Sequence, residues 1–533
     1  MKTILKKYIL PAALLLSVTG CKKSFDELTQ NQNVPNSVPA SLLFNGVLNS
    51  IAETPDGQKE IYAQYYLYNY DYYGNNRYDL GAGDNYYTIL KNVQEMEKQA
   101  AATGGAAINP YEALGKFFKA YLFSKMSLEM GDIPMTEALQ GLDKLNPAYD
   151  SQKAVMLQSL QWLDSANDDL GQLIANPGNF GSGEGATLKN DIYFANDLTK
   201  WQKAVNALQL RLLVALSKKT ADTDLKVVSR FAAILASPSK YPLMSSNADN
   251  LQYVFREPNN YYPQNPNNFG QSGSRKNMSA TYVGLLTSLK DPRVFVTAEP
   301  SRYLVDEQKQ SPTDFASFVG ADPGLDLSVM YNNAGLQRYS FLNRKHFYST
   351  YTGEPAIQIG FPEMMFNIAE GLNRGWASGA SAETYYQNGI KASMQSYGIP
   401  ETGSFTAYFY RPGSTSVSVA GNYDTYSIAA NFATYYNQAT VKYTADGAGL
   451  TKILQQRYLA LFRHSGLESY FTYRRTGVPT FTTGPGTGNG TRIATRFQYP
   501  SSERTANSAN YQKALDSQFG GNDDINGIMW ILK

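Results

Sequence analysis

The chain of 533 residues contains one cysteine, Cys21. A single thiol cannot form an intramolecular disulfide, so a fold of this size must draw its stability from a buried core. Hydrophobic residues make up 43% of the sequence, which is enough to build such a core in a chain of this length. The chain is therefore expected to fold by side-chain packing and not as a disulfide scaffold.

The position of Cys21 predicts a lipid anchor. Three lysines among the first seven residues precede an apolar run over residues 8–18, which has the length of a secretory signal and is too short to span a bilayer. The following Val18-Thr19-Gly20-Cys21 resembles the bacterial lipobox, in which the signal is cut before an acylated cysteine. We predict a lipoprotein signal peptide over residues 1–20 and lipid attachment at Cys21. An ordinary signal peptide followed by an unrelated cysteine is the alternative.

The net charge of the chain argues against nucleic acid as a partner. The whole chain carries a formal charge of +2, and removal of the signal with its three lysines leaves −1. Such a balance offers no basic surface for nucleic acid, and we expect no nucleic-acid partner. Residues 21–39 are polar, contain Asn and Pro and hold too few apolar residues to pack, which predicts a lipidated flexible tether.

Helical patterns dominate the first half of the remaining chain and return near its end. Asn109 followed by Pro110 predicts a helix start, and Gly131 predicts its end. Asp197 opens a later helix. Further helices are predicted over residues 362–372, 381–394 and 453–473. We predict a mainly α fold over residues 40–533 as one intertwined domain, with helical hairpins at 40–236 and 360–475.

Two segments interrupt the helical pattern. Residues 241–351 are rich in Asn, Pro, Gly and aromatic side chains, and a long segment of weak periodicity inside a compact chain usually carries function. We predict a loop-rich ligand region there. Residues 404–443 alternate Tyr, Thr, Ser and Val, which predicts a loop or an insertion of short strands.

Seven segments, in order along the chain, are together similar to the SusD/RagB family of nutrient-capturing surface lipoproteins of certain Gram-negative bacteria. They are residues 36–43, 130–139, 191–193, 201–211, 363–371, 473–479 and 499–503. Each segment alone could be only a cap or a turn. The resemblance implies irregular tetratricopeptide-like helix pairs. It also implies a non-enzymatic binding protein that faces the cell exterior and acts as the lid of a SusC-like TonB-dependent outer-membrane transporter.

Ligands of that family are usually glycans and sometimes peptides, and its ligand residues cannot be transferred by motif. The chain holds 40 tyrosines, whose flat face and hydroxyl suit sugar rings. Residues 72–78 combine tyrosines with Asn, Arg and Gly, although Asn and Gly also favour turns. The predicted stacking residues are Tyr73, Tyr78, Tyr262 and Phe269, and the predicted hydrogen-bonding residues are Asn75 and Arg77.

The sequence contains few residues or motifs that are typical of a catalytic site. The chain has only two histidines, His346 and His464, and no Gly-x-Ser-x-Gly segment, so we predict no catalytic residue, no metal site and no cofactor. Two rival functions stay open. A surface glycan hydrolase could use loop carboxylates such as Asp71, Asp79 and Asp84, and a helical protein-docking scaffold would need no small ligand.

Overall fold

The computed structural model describes residues 37–533. The predicted signal peptide, Cys21 and the tether up to residue 36 lie outside the described residues. The mainly α architecture predicted from the sequence is confirmed, because within residues 37–533 helices carry most of the regular structure and the strands form only two-stranded pairs. No helix within residues 37–533 is both long and apolar enough to cross a bilayer.

The N-terminal part is a series of packed helices. In chain order they are α1 Ala40–Ser50, α2 Gln58–Tyr62, α3 Tyr87–Ala102, α4 Pro110–Met130, α5 Gln152–Ala175, α6 Leu198–Ala215 and α7 Val227–Ala236. Helix α1 packs on α3, and from α3 to α7 each helix packs on the next. These contacts build the hairpins predicted for this half of the chain.

Helix α4 shows how the sequence sets its own ends. The side chain of Asn109 accepts hydrogen bonds from the backbone N–H groups of Tyr111 and Glu112, both at 3.0 Å, and Pro110 occupies the first helical turn. Gly131 ends the helix at a φ of 101°, a conformation that favours glycine. Almost every side chain of α4 is buried, which identifies it as the central helix of this half.

Short elements lie mostly in the middle of the chain, where the sequence predicted mainly loops, and one of them, β1, lies earlier, where helical hairpins were predicted. They are β1 Tyr66–Tyr68, β2 Leu251–Tyr253, α8 Phe269–Ser272, β3 Lys276–Met278, α9 Ala280–Ser288, α10 Val294–Thr297, α11 Leu327–Gly335, α12 Arg344–Tyr348 and β4 Ala356–Ile359. Helices of four to nine residues are too short to display a helical period, which explains why the pattern was weak. Strand β1 pairs antiparallel with β3, and β2 with β4.

The C-terminal part returns to helix pairs around one hairpin. Its elements are α13 Phe361–Asn373, α14 Ala382–Ser396, β5 Thr402–Tyr410, β6 Tyr423–Asn431, α15 Phe432–Tyr436, α16 Gly447–Ala460, α17 Glu468–Thr476, α18 Ser501–Ala506 and α19 Ser508–Phe519. Helix α13 packs on α6, α14 and α16 and so joins the two halves of the chain.

Two sequence expectations for this part are corrected. The single helix predicted over 453–473 is two helices, α16 and α17, because Arg463, Ser465 and Gly466 between them have positive φ values of 65°, 58° and 57°. The short-strand insertion is a hairpin of two nine-residue strands, β5 and β6. Alternate side chains of the two strands, Ala407 and Phe409 of β5 and Ile428 and Ala430 of β6, are buried in the core, which fixes the face that the hairpin packs.

Candidate functional site

Strands β1 and β3 anchor the tyrosine-rich loop that follows β1. Asn69 donates from its backbone N–H to the carbonyl of Arg275 at 3.1 Å and from its side chain to the carbonyl of Ser274 at 2.7 Å. Asn76 closes the loop by accepting from the N–H of Tyr68 and donating to its carbonyl, both at 2.8 Å. The loop is therefore held at both ends by buried amides.

Four exposed tyrosines form what we call the tyrosine patch: Tyr70, Tyr72 and Tyr73 from this loop and Tyr331 from α11. Their exposed fractions are 43%, 82%, 38% and 52%. The Tyr70 ring lies 5.1 Å from Tyr331 and 5.8 Å from Tyr73, and the Tyr72 and Tyr73 rings lie 5.5 Å apart. Contiguous exposed aromatic rings are typical of a binding surface.

A cation lies at the edge of the tyrosine patch. The Arg275 guanidinium sits 4.4 Å from the ring centroid of Tyr73, within cation–π distance. Its Nε is buried and has no hydrogen-bond partner among the described residues. The patch thus combines ring faces with a hydrogen-bond donor, which are the two properties that sugar recognition requires.

Three of the six predicted ligand residues lie in this loop on its exposed side. Tyr73 belongs to the tyrosine patch. Asn75 accepts from the backbone N–H of Arg77 at 3.0 Å, and the Arg77 guanidinium pairs with Asp79. Asn75 and Arg77 therefore have turn-forming contacts, as the turn alternative expected, while both remain exposed.

Tyr78 and Tyr262, which the sequence predicted as stacking residues, are core residues. Tyr78 is 1% exposed and its hydroxyl donates to the Tyr62 carbonyl at 2.9 Å. Tyr262 is fully buried and its hydroxyl accepts from Arg463 at 2.9 Å. Neither ring has a face open to a ligand, so we leave both out of the site. The sequence suggested that both tyrosines are exposed because each lies between helical patterns, whereas the residues that bury them belong to other segments of the chain.

Phe269 lies on the wall of a cavity beside the tyrosine patch. The cavity has a volume of about 340 Å³. The Phe269 ring packs edge-on against Tyr348 at 5.4 Å and Tyr410 at 5.3 Å. Two segments contribute to both the cavity and the patch, because Ser274 lines the cavity and precedes Arg275, and because Ala334 lines the cavity and lies on α11 with Tyr331.

Sequence reasoning missed part of this site. Tyr331 and the cavity residues Arg302, Phe341, Arg344 and Tyr410 carry no local motif. They come from separate segments of the chain, and only the tertiary fold brings them together. Tyr331 is exposed, but its exposure cannot be predicted from the sequence, because it depends on which face of α11 the rest of the protein covers.

Two of the three carboxylates named for a hydrolase, Asp79 and Asp84, are held in ion pairs. Asp84 lies 2.8 Å from the Lys59 ammonium and also accepts from the Tyr86 hydroxyl. Burial raises the pKa of Asp84, but the Lys59 charge and the hydrogen bonds from Lys59 and Tyr86 together hold the pKa below its ordinary value. Asp79 pairs with Arg77. A glycosidase acid needs a raised pKa, so the contacts of Asp84 are those of a structural ion pair.

Both histidines also have structural surroundings. His346 lies 2.9 Å from Glu354 through its Nε2, and burial lowers the pKa of His464. Within residues 37–533 no group of three or more His, Cys, Asp or Glu side chains is arranged to hold a metal ion. Near the C-terminus, Asp523 pairs with Arg496 at 2.6 Å.

Comparison with known proteins gives a family and a fold. The chain matches a SusD-like family model, described as starch-binding and associating with the outer membrane, over residues 31–500. No curated protein matches it.

Solved structures cover nearly the whole chain. A SusD homologue from Bacteroides fragilis NCTC 9343 is 31% identical, covers 93% of this chain and 100% of its own, and gives a TM-score of 0.77. A second SusD homologue from the same organism is 28% identical with the same coverage and a TM-score of 0.74. A chitin-binding SusD homologue from Flavobacterium johnsoniae is 22% identical, covers 93% of this chain and 98% of its own, and gives a TM-score of 0.66. The last of these supports the fold alone.

Proposed function

This chain belongs to the SusD-like family of outer-membrane-associated proteins, and from that premise we propose that it is a surface lipoprotein that binds oligosaccharides. We further propose that it delivers them to a SusC-like TonB-dependent transporter, acting as its lid. The lipid anchor at Cys21 would hold it at the outer membrane, facing the cell exterior. Peptides are the alternative ligand class.

One observation supports glycan binding above the others: four tyrosines share an exposed patch with a guanidinium at its edge. Exposed tyrosines have no core to fill, yet these four contact one another across two separate segments. A sugar ring presents axial C–H groups to an aromatic face and hydroxyls to donors at the rim. The tyrosine patch offers both, and its anchored loop keeps the rings in place before a ligand arrives.

We expect Tyr73→Ala and Tyr331→Ala each to weaken glycan binding while leaving the unfolding midpoint unchanged. Removing one stacking ring from a binding surface costs roughly 1 to 3 kcal/mol, or about 5- to 150-fold in affinity. Calorimetry with starch and chitin oligosaccharides and a wider glycan panel measures the effect. Exposure of both rings is the reason to expect no loss of stability.

The matched control is Tyr261→Ala. Tyr261 is 37% exposed and lies 4.7 Å from Tyr351, outside the tyrosine patch, so its removal tests the effect of losing any surface tyrosine. Equal affinity for the wild type, Tyr73→Ala and Tyr331→Ala would place the glycan site elsewhere. Binding of peptides but not of any glycan would favour the alternative ligand class.

The anchor leads to a second expected result. Cys21→Ala should move the protein from the membrane to the soluble fraction, because the chain would depend on that one side chain for its acyl groups. Wild-type protein purified from detergent-solubilised membranes should bring a large outer-membrane barrel with it. Fractionation and co-purification measure the two results. Membrane retention of the variant would contradict the anchor, and recovery of wild type alone would contradict the transporter partnership.

The rival functions give different outcomes in the same experiments. A glycan hydrolase would turn over the oligosaccharides of the panel, whereas a receptor would release them unchanged. A docking scaffold would co-purify with a protein partner and bind no glycan. The ion pairs of Asp79 and Asp84 support the receptor over the hydrolase.

A further inference from the structure

The cavity beside the tyrosine patch has a composition that the patch lacks. Its walls hold one carboxylate, Glu299, and combine three aromatic rings with three guanidinium groups: Phe269, Phe341, Tyr410, Arg302, Arg344 and Arg411. A volume of about 340 Å³ is large enough for one sugar residue. Aromatic faces suit any sugar, but guanidinium groups select for an anionic substituent.

Arg344 is the most unusual of these groups. It is only 9% exposed, and no carboxylate oxygen of residues 37–533 lies within ion-pair distance of its guanidinium. Its Nη1 donates to the Leu342 carbonyl at 3.1 Å, its Nη2 donates to the Gly273 carbonyl at 2.9 Å, and the group lies 4.6 Å from the Phe341 ring. A guanidinium has five N–H donors, so three stay free for a ligand in the cavity that Arg344 lines.

The Tyr410 hydroxyl is a second free donor in the same wall. It is buried and has no hydrogen-bond partner among the described residues. Its ring is fixed by edge-on contacts with Phe269 at 5.3 Å and Tyr423 at 5.4 Å. Buried hydroxyls are normally satisfied, and Tyr410 lines the cavity, so a ligand bound there can supply the acceptor that the protein does not.

The carboxylates around the cavity are already occupied. Glu299 accepts from the backbone N–H groups of Arg344 at 2.8 Å and Tyr410 at 3.1 Å, one with each oxygen. Asp306 pairs with Arg302 and Asp424 pairs with Arg411. Glu299 therefore offsets the charge of Arg344 only at a distance, and the free donors of Arg344 and Tyr410 have no acceptor of their own.

We propose that this cavity binds the carboxylate of an acidic sugar, so that the glycans captured by the tyrosine patch are uronate-bearing or otherwise carboxylated. The acid group would accept from Arg344 and the Tyr410 hydroxyl while the ring stacks in the aromatic wall. The glycan chain would continue past Ser274 onto the ring of Tyr73, where Arg275 lies. The inference rests on the proposed glycan-binding function and names its substrate class.

The test is affinity electrophoresis and calorimetry with matched acidic and neutral polymers. The carboxylated probes are polygalacturonate, alginate and hyaluronan, the neutral probes are fully methyl-esterified polygalacturonate, starch and chitin oligosaccharides, and dextran sulfate is the sulfated probe. We expect at least one carboxylated polymer to bind. Its neutral counterpart should bind about 10- to 100-fold more weakly, which is the usual effect of losing a hydrogen bond to a charged group.

The variant Tyr410→Phe tests whether that binding occurs in the cavity, because it deletes a hydroxyl that has no protein partner. Arg344→Gln is less suitable, because it would remove two hydrogen bonds to backbone carbonyls together with the charge. Tyr410→Phe should keep the wild-type unfolding midpoint and weaken binding of the acidic polymer by roughly 5- to 10-fold. Tyr397→Phe is the matched control, because its hydroxyl is also buried without a partner but its ring lines a different cavity.

The outcomes separate this inference from the proposed function. Equal binding of acid and ester, binding of neutral or sulfated polymers alone, or acid binding that Tyr410→Phe leaves unchanged would overturn the acidic-sugar assignment. If the same protein still binds neutral glycans through Tyr73 and Tyr331, the receptor function stands. Failure to bind any glycan would overturn both.

Discussion

Glu363→Ala is expected to destabilise the protein by about 3 to 5 kcal/mol, the usual cost of removing one partner from a buried ion pair. Glu363 is 2% exposed and lies on α13 between two buried guanidiniums. Arg211 donates to it at 2.8 Å from α6, and Arg457 donates to it at 2.8 Å from α16. The one carboxylate therefore joins helices from both halves of the chain, and urea unfolding measures its loss.

The size of this effect follows from the charges that remain. Glu468 lies 3.3 Å from Arg457, so the cluster has two guanidiniums and two carboxylates. Burial raises the pKa of Glu363, but both arginines lower it by more, so the group is ionised at neutral pH. Without Glu363 the cluster keeps an excess positive charge that water cannot reach.

The control for Glu363 is an exposed ion pair. Glu95 lies 3.4 Å from Lys98 on the surface of α3, with 41% of its side chain exposed, and Glu95→Ala should leave the unfolding midpoint unchanged. Glu363→Gln keeps the shape and removes only the charge, and it should recover little of the loss. A midpoint for Glu363→Ala equal to that of Glu95→Ala would contradict the prediction.

The sequence predicted the long helices well because their signals are local. Asn109 and Gly131 mark the ends of α4 through contacts within a few residues of themselves, and Asp197 caps α6 in the same way. The break between α16 and α17 was missed although Gly466 within it is a residue that often ends helices, because the positive φ at Arg463 and Ser465 has no local sequence signal. Those two residues are non-glycine, so only tertiary contacts keep them in that conformation.

The site was harder to predict for the opposite reason. Tyr73 and Tyr78 lie five residues apart in one loop, yet one ring is exposed and the other is buried against Tyr62. Which of the two faces solvent depends on segments far away in sequence. Composition could therefore indicate a tyrosine-based binding surface, but it could not select Tyr331 or Tyr410.

Two of the residues that carry the family resemblance are scaffold residues. Trp201 and Asp191 both lie in matching segments, and the Trp201 indole N–H donates to the Asp191 carboxylate at 2.8 Å. The same carboxylate accepts from the backbone N–H groups of Tyr193, Phe194 and Asn196 at 2.9, 3.1 and 3.1 Å. Asp191 thus folds the turn before α6 and ties it to the helix. Such a motif identifies the fold and carries no information about the ligand.

Trp201→Ala is accordingly expected to destabilise the fold by roughly 3 to 5 kcal/mol, as large-to-small changes of buried aromatic residues do. The indole is fully buried and lies 5.5 Å from Phe117 and 5.1 Å from Phe194, so its removal would leave a cavity in the N-terminal core and strip the Asp191 carboxylate of a donor. Urea unfolding measures the loss.

Trp530→Ala is the control, because Trp530 is only partly buried and contacts Lys219 near the surface. If both tryptophan variants unfold at the same urea concentration, Trp201 is not the packing centre of this half. If Trp201→Ala instead changes glycan affinity and leaves the urea unfolding midpoint unchanged, Trp201 contributes to ligand binding and not to the stability of the fold.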